Sequence, residues 1–333
     1  MLTAVTIKGL RGIREGELRD LTPLVVLVGP NGSGKSTILE AVNIGAASSP
    51  STGVVNVLQA REGEEFALGW LLWKRGSEGP AEVAIRITPG TSSRKVVLKL
   101  QNKGRRIEVS GSQTNLDKQY NFRDGSVQSA DRGNFSIGDT DDSWPRFIAP
   151  NPLFTSPVSK LSEPLSETFS ELVRLGLRGE AMALIENLVP GLERLDILTE
   201  NGSPVLYLVF EDRAIPASHA GDGIHLLLRV GLQLATIRDG IALMEEPETH
   251  LHPAAIRQCA RAIVAASRRK AQVILTTHSL EVIDSLLAEL TMPADEDLLS
   301  VYRLRLDNGL LQSSRFDGAD VTLARGDIMD DLR

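Results

Sequence analysis

Three short, uninterrupted apolar runs stand out from the mixed pattern of this chain: Leu24-Val25-Val26-Leu27-Val28, Ile241-Ala242-Leu243-Met244 and Val273-Ile274-Leu275. They are too short for core helices and lack the alternation of a strand with one wet face. Such runs predict parallel strands buried on both sides. Each ends abruptly in polar or glycine-rich sequence. Ile38-Leu39-Glu40-Ala41-Val42 starts a helix after the first run, and a helical segment over 253–269 separates the second from the third. Elsewhere the pattern changes. Strand-like alternation fills 80–110, while 111–145 is polar and poor in aliphatics, which predicts a mobile loop. A helical pair is expected over 161–177 and 180–189, with Leu161, Leu165, Phe169 and Leu172 at helical spacing. Asn201-Gly202 and Asp307-Asn308-Gly309 each predict a tight hairpin, the first between strands near 195–199 and 205–210. No sustained heptad and no tandem repeat appears, so a long coiled-coil arm is not expected.

The polar ends of the three runs carry the chemistry. After the first comes Gly29-Pro30-Asn31-Gly32-Ser33-Gly34-Lys35-Ser36-Thr37, which completes G-x-x-x-x-G-K-[ST] between a strand and a helix. Glycines let the backbone N–H groups fold around phosphates at a helix N-terminus, whose dipole favours anions. In that arrangement Lys35 reaches the β- and γ-phosphates of a nucleoside triphosphate, and the Ser36 hydroxyl binds Mg²⁺. A nucleoside triphosphate and Mg²⁺ are therefore the expected ligands, and the likeness described below implies that the nucleotide is ATP.

The second run delivers Glu245-Glu246-Pro247-Glu248, carboxylates at the C-terminal end of a buried strand, where ligands bind in open α/β sheets. Adjacent side chains on a strand point to opposite faces, so the first two cannot share a task. Glu245 is expected to hold Mg²⁺ through water, and Glu246 to orient and deprotonate an attacking water. The third run ends in Thr276-Thr277-His278-Ser279, which sets His278 where a side chain could touch the γ-phosphate.

Together these residues resemble the ABC-type ATPase superfamily, and more the OLD-like and RecF/SMC-like heads than transporter subunits. Glu245-Glu246-Pro247-Glu248-Thr249-His250-Leu251-His252-Pro253 carries most of that likeness, with Thr276-Thr277-His278-Ser279 matching the switch histidine. Ile7-Lys8-Gly9-Leu10-Arg11-Gly12-Ile13 resembles the first strand pair. The resemblance implies an α/β P-loop NTPase of ABC-ATPase type: a mixed central sheet flanked by helices, with an inserted β-hairpin and helical lobe. The core is expected over 1–45 and 190–333. The insert covers 46–189, with its hairpin over 80–110, the loop over 111–145 and the helical pair over 161–189.

The same likeness implies a homodimer closed around ATP, each copy's signature loop capping the nucleotide of the other. The candidate loop is Ser218-His219-Ala220-Gly221-Asp222-Gly223, with Ser218, Gly221 and Gly223 as its nucleotide-contacting residues. It departs from the Leu-Ser-Gly-Gly-Gln form of transporters. A second reading makes it a glycine-rich start to the helix that follows, capped by Ser218 or Asp222. Gln59 is the nearest glutamine for a Q-loop. His250 and His252 lack the spacing of a helical zinc pair and are expected to touch the opposite subunit.

Composition narrows the setting. At 42% hydrophobic residues, 333 residues can bury a large core, and no apolar stretch is long enough to span a bilayer. The N-terminus runs straight into a strand, leaving no room for a signal peptide, and Cys259 has no disulfide partner; the expected compartment is the cytoplasm. A net charge of −7 argues against a whole-surface nucleic-acid clamp. Yet Arg94, Lys95, Lys99, Lys103, Arg105 and Arg106 occur with no acid between them. That run is either a solvated strand face or an edge that contacts nucleic acid.

The function expected is Mg²⁺-dependent ATP binding and hydrolysis that drives a separate effector, such as a nuclease, in nucleic-acid processing or defence against phage. A fused Toprim nuclease is not expected in the residues that follow the switch strand. A transporter's ATP-binding subunit and an ATP-binding switch with little turnover are the alternatives.

Overall fold

The structure, a computed structural model, describes residues 1–60, 68–87, 92–102, 105–115, 118–129, 135–138, 153–155, 164–186, 188–237, 239–292, 295, 297–328 and 331. The chain opens with β1 (Leu2–Leu10), β2 (Ile13–Arg19) and β3 (Leu24–Val28), then turns into helices α1 (Lys35–Ala46) and α2 (Pro50–Gln59). Strands β4 (Ala81–Ile87), β5 (Ser92–Gln101), β6 (Arg106–Asn115), β7 (Lys118–Ser129), β8 (Phe135–Gly138) and β9 (Leu153–Thr155) follow. Helices α3 (Leu165–Arg174) and α4 (Arg178–Ile185) precede β10 (Arg194–Glu200), β11 (Ser203–Val209) and β12 (Ala214–Pro216). The last third alternates α5 (Asp222–Thr236), β13 (Ile241–Glu245), α6 (Pro253–Arg268), β14 (Gln272–Thr276) and α7 (Leu280–Glu289). It ends with β15 (Leu299–Asp307), β16 (Leu310–Asp317) and α8 (Gly318–Thr322).

Among the described residues, one mixed sheet of 13 strands runs β8-β7-β6-β5-β4-β1-β2-β16-β15-β3-β14-β13-β9, and β10-β11-β12 form a second, small sheet. Strands β15, β3, β14, β13 and β9 are mutually parallel. From β8 to β2 every neighbouring pair is antiparallel. Residues 46–189 thus supply strands to both ends of the sheet.

The apolar runs are continuous because helices cover both faces of the parallel block. Leu24, Val26 and Val28 of β3, Ala242 and Met244 of β13, and Val273 and Leu275 of β14 join one core with α5, α6 and α7. The alternate residues Val25, Leu27, Ile241, Leu243 and Ile274 join the other, built on α1 and α2. Two-residue turns close both expected hairpins. Asn201 and Asn308 have φ near 48°, each followed by a glycine with positive φ, the geometry of a type I′ turn.

Two expectations fail in the antiparallel wing. The stretch 111–145, expected as a mobile loop, continues β6 and forms β7 and β8 where it is described. Backbone pairing needs apolar side chains on one face only, and Phe122 and Val127 of β7 are buried. The cation run is not one surface. Arg94 lies on the core face and is 1% exposed; its guanidinium donates to the carbonyls of Gly45 and Ala47 and to Gln113 Oε1. It therefore satisfies carbonyls at the end of α1. Burial pulls it down to about 9, against the opposing charge of Asp124. Lys95 pairs with Glu82 at 2.8 Å, and Lys99 stands opposite Glu108 in the ladder. Strand pairing brings in the acids that the linear run lacks. Lys103 lies outside the described residues.

Candidate functional site

The turn between β3 and α1 is shaped by glycine. Gly29 has φ 140° and sits so close to the Leu304 carbonyl that a Cβ would collide with it. Gly34 precedes α1 in the left-handed region, at φ 95°, which frees the following N–H groups to point out of the helix start. No side chain caps α1 and no acid occupies its first turn, so the N-terminus keeps its donors and its positive dipole end. Pro30, Asn31 and Gly32 are exposed, Ser33 and Thr37 are buried, and Ser36 is half-buried at the helix start. The Ser33 hydroxyl is buried with no hydrogen-bond partner among the described residues.

Lys35 is 6% exposed and folds back over this turn, donating to the carbonyls of Gly29 at 2.8 Å and Pro30 at 3.1 Å. Burial pulls its pKa down, opposed by the charges of Glu246 and then Glu245. Both carboxylates therefore stand within electrostatic reach of the ammonium group. Glu245 keeps the strand parity of Ile241 and Leu243, the face that α1 covers. Glu246 leaves the strand with φ 44°, and its N–H donates to Thr276 O at 3.1 Å and Thr276 Oγ1 at 3.2 Å. His278 Nε2 lies 3.4 Å from Glu246 Oε1. Lysine, two carboxylates and a histidine thus meet at the C-terminal ends of adjacent parallel strands, as the three run ends predict.

The proposed signature segment lies apart from these contacts. Ser218 sits in a short turn and bonds to His219 Nδ1 at 3.1 Å. Gly221 has φ 89° and open space around it, and a Cβ on Gly223 would lie 3.2 Å from the His250 carbonyl. Gly221 is the N-cap of α5, as a glycine-rich helix start implies, but neither Ser218 nor Asp222 caps it with a side-chain bond. His252 does cap a helix: its Nδ1 accepts from Ala254 N at the start of α6. Gln59 ends α2 instead of following a parallel strand, so nothing in its position supports a Q-loop role. The strand flanking β13 is β9, and the residues after it lie outside the described set.

A family profile described as "AAA domain, putative AbiEii toxin, Type IV TA system" matches residues 24–284, from the first apolar run to beyond His278. The chain belongs to this AAA family. An uncharacterised protein of Methanocaldococcus jannaschii, MJECL11, is 31% identical over 94 residues, which are 28% of this chain and 82% of that protein. Among solved structures, an SMC head bound to the C-terminal winged-helix domain of ScpA superposes with a TM-score of 0.59 at 14% identity, covering 95% of this chain and 98% of that one. A Pyrococcus furiosus SMC head with an extended coiled coil, bound to the C-terminal domain of ScpA, gives 0.54 at 12% identity over 99% of both chains. The AAA domain here has the fold of an ABC-type ATPase head of the RecF/SMC-like kind, and is an ATPase-type P-loop NTPase. Among the described residues, no helix is long and apolar enough to cross a membrane.

Three residues of this AAA domain escaped the sequence reading of the site. Glu248 Oε1 accepts from Thr277 Oγ1 at 2.6 Å and from the His278 N–H at 3.2 Å. Thr276 holds the Glu246 backbone. The signal was present as a third carboxylate within four residues and a paired threonine, but nothing in the linear order said that the two segments touch.

Proposed function

We propose that this AAA domain binds and hydrolyses ATP with Mg²⁺, that two copies close around the nucleotide, and that closure gates a separate effector. The observation that carries the reading is the meeting of Lys35, Glu245, Glu246 and His278 at the ends of β3, β13 and β14. The site fits the ligand: an uncapped helix N-terminus, a glycine cradle and an orphaned Ser33 hydroxyl suit phosphate oxygens. Residues 29–37 hold the phosphates, with Lys35 withdrawn from its own loop carbonyls to reach them. Ser36 and Glu245 hold Mg²⁺, which when bound neutralises phosphate charge.

Glu246 is the general base. It is partly exposed, as a carboxylate that meets water must be, and His278 beside it can share a hydrogen bond and reach toward the γ-phosphate. Ser218, Gly221 and Gly223 are exposed or half-buried next to the loop of His250, an arrangement suited to capping the nucleotide of a second copy. The toxin–antitoxin description of the family agrees with a role in defence or nucleic-acid processing, and the ScpA-bound relatives agree with a separate partner protein. The cytoplasm is the setting this implies.

Light scattering tests the dimer. Glu246→Gln with ATP and Mg²⁺ is expected to shift from monomer toward dimer more than the nucleotide-free protein does. A dimer that forms equally without nucleotide contradicts closure around ATP.

A further inference from the structure

Glu248 is a half-buried residue at the centre of the two catalytic turns, and hydrolysis as described above gives it no task. One of its oxygens, Oε1, takes both the Thr277 hydroxyl and the His278 N–H, while Oε2 is buried with no partner among the described residues. Thr277 is fully buried, and its own Oγ1 accepts from Ser279 N at 2.9 Å, at the start of α7. On the other side, the Glu246 N–H is held by Thr276, and His278 Nε2 returns to Glu246 Oε1 at 3.4 Å. With the backbone from Glu246 through Pro247 to Glu248, these links close a ring that passes through His278 and returns to Glu246. A histidine at the end of a strand has a free backbone and a rotatable ring. Here the third carboxylate fixes its backbone at the position where its ring meets the base.

We propose that Glu248 is a positioning residue that sets His278 against Glu246 by accepting the hydrogen bonds of Thr277 and His278. The role rests on the reading of Glu246 as general base. It needs an acceptor at Oε1, not a charge, so an amide serves. Glu248→Gln retains that acceptor in its amide oxygen, whereas Glu248→Ala removes it from the His278 N–H and leaves the Thr277 hydroxyl only the longer bond to Ser279 O at 3.5 Å.

Steady-state ATPase assays on the full chain, with nucleotide-binding titrations, test it. Glu248→Ala is expected to lower kcat by about tenfold or more with KM for MgATP within about threefold, since the lost alignment matters only in the reaction. Glu248→Gln is expected to stay within about threefold of the parent in kcat. Because Glu248 acts through His278, the pair Glu248→Ala/His278→Ala is expected to be no slower than His278→Ala. Should Glu248→Ala not fold, Thr277→Val removes one donor and is expected to give a smaller loss of the same kind. Multiplying effects in the double variant, or Glu248→Gln as slow as Glu248→Ala, would overturn the proposal. The His278 imidazole NMR signal in nucleotide-free protein separates this from the hydrolysis reading. A parent without turnover defeats hydrolysis, yet a signal moved by Glu248→Ala and not by Glu248→Gln still supports positioning. A signal unmoved by either defeats positioning.

Discussion

The two ends of the large sheet treat polar residues in opposite ways. In β3, β13 and β14 of the parallel block, side chains along the strands are mostly apolar and buried on both faces, and charged groups collect where the strands stop. There Lys35, Glu245, Glu246 and His278 come from segments far apart in the chain and meet at one point. In the antiparallel wing the polar groups lie along the strands, where neighbouring strands bring partners beside several of them. Arg94 serves the end of α1, Lys95 serves Glu82, and Lys99 faces Glu108. Charge at the end of a parallel strand is available to a ligand, whereas charge along a paired strand is mostly committed.

The sharpest way to break this contrast is in the parallel block. Lys35→Ala removes the one buried cation over the phosphate turn and is expected to weaken ATP binding by at least tenfold in an equilibrium titration, the usual scale for a charge-assisted bond of about 1.5–3 kcal/mol. Unchanged affinity would remove Lys35 from the site. Gly221→Trp comes next. A Cβ on Gly221 would meet no neighbouring atom; its positive φ strains the substitution locally, and a melt checks the fold. It is expected to abolish ATP-dependent dimerisation while leaving nucleotide binding within about threefold.

In the wing, Arg94→Met is expected to lower unfolding stability by about 2–3 kcal/mol, because buried carbonyls and Gln113 lose a charged donor. Denaturant unfolding measures it, and turnover per folded molecule should change little. The smallest effect is on the exposed cations. If Lys95, Lys99 and Arg105 each neutralised a phosphate, changing all three to Ser would flatten the log–log salt slope of duplex binding by about 0.9 per residue. With acids already beside two of them, the expected change is less than about one unit. A full change of two or three units would make the wing a nucleic-acid edge after all.

The contrast also explains what the sequence could show. Strands buried on both faces need continuous apolar runs, so β3, β13 and β14 and the residues ending them were legible in linear order. Both two-residue hairpins were legible because only residues that tolerate positive φ fit the turns, and Asn201-Gly202 and Asn308-Gly309 do. The wing was not. A strand with one wet face can be mostly polar, so β7 looked like a loop and Phe122 and Val127 were too sparse to expose the pattern. The inward turn of Arg94 depends on strand register, which a run of cations conceals. Glu248 was visible as a residue, but its partners Thr277 and His278 come from another strand, and only the fold joins them.

The central claim is that Glu246 activates water while the phosphate turn binds ATP independently of it. Steady-state turnover of Glu246→Gln, measured beside an ATP titration of the same preparation, tests that claim most directly. The account predicts turnover lower by about 10²–10⁴, the usual range for a lost general base, with ATP affinity retained. Near-normal turnover in Glu246→Gln would contradict it.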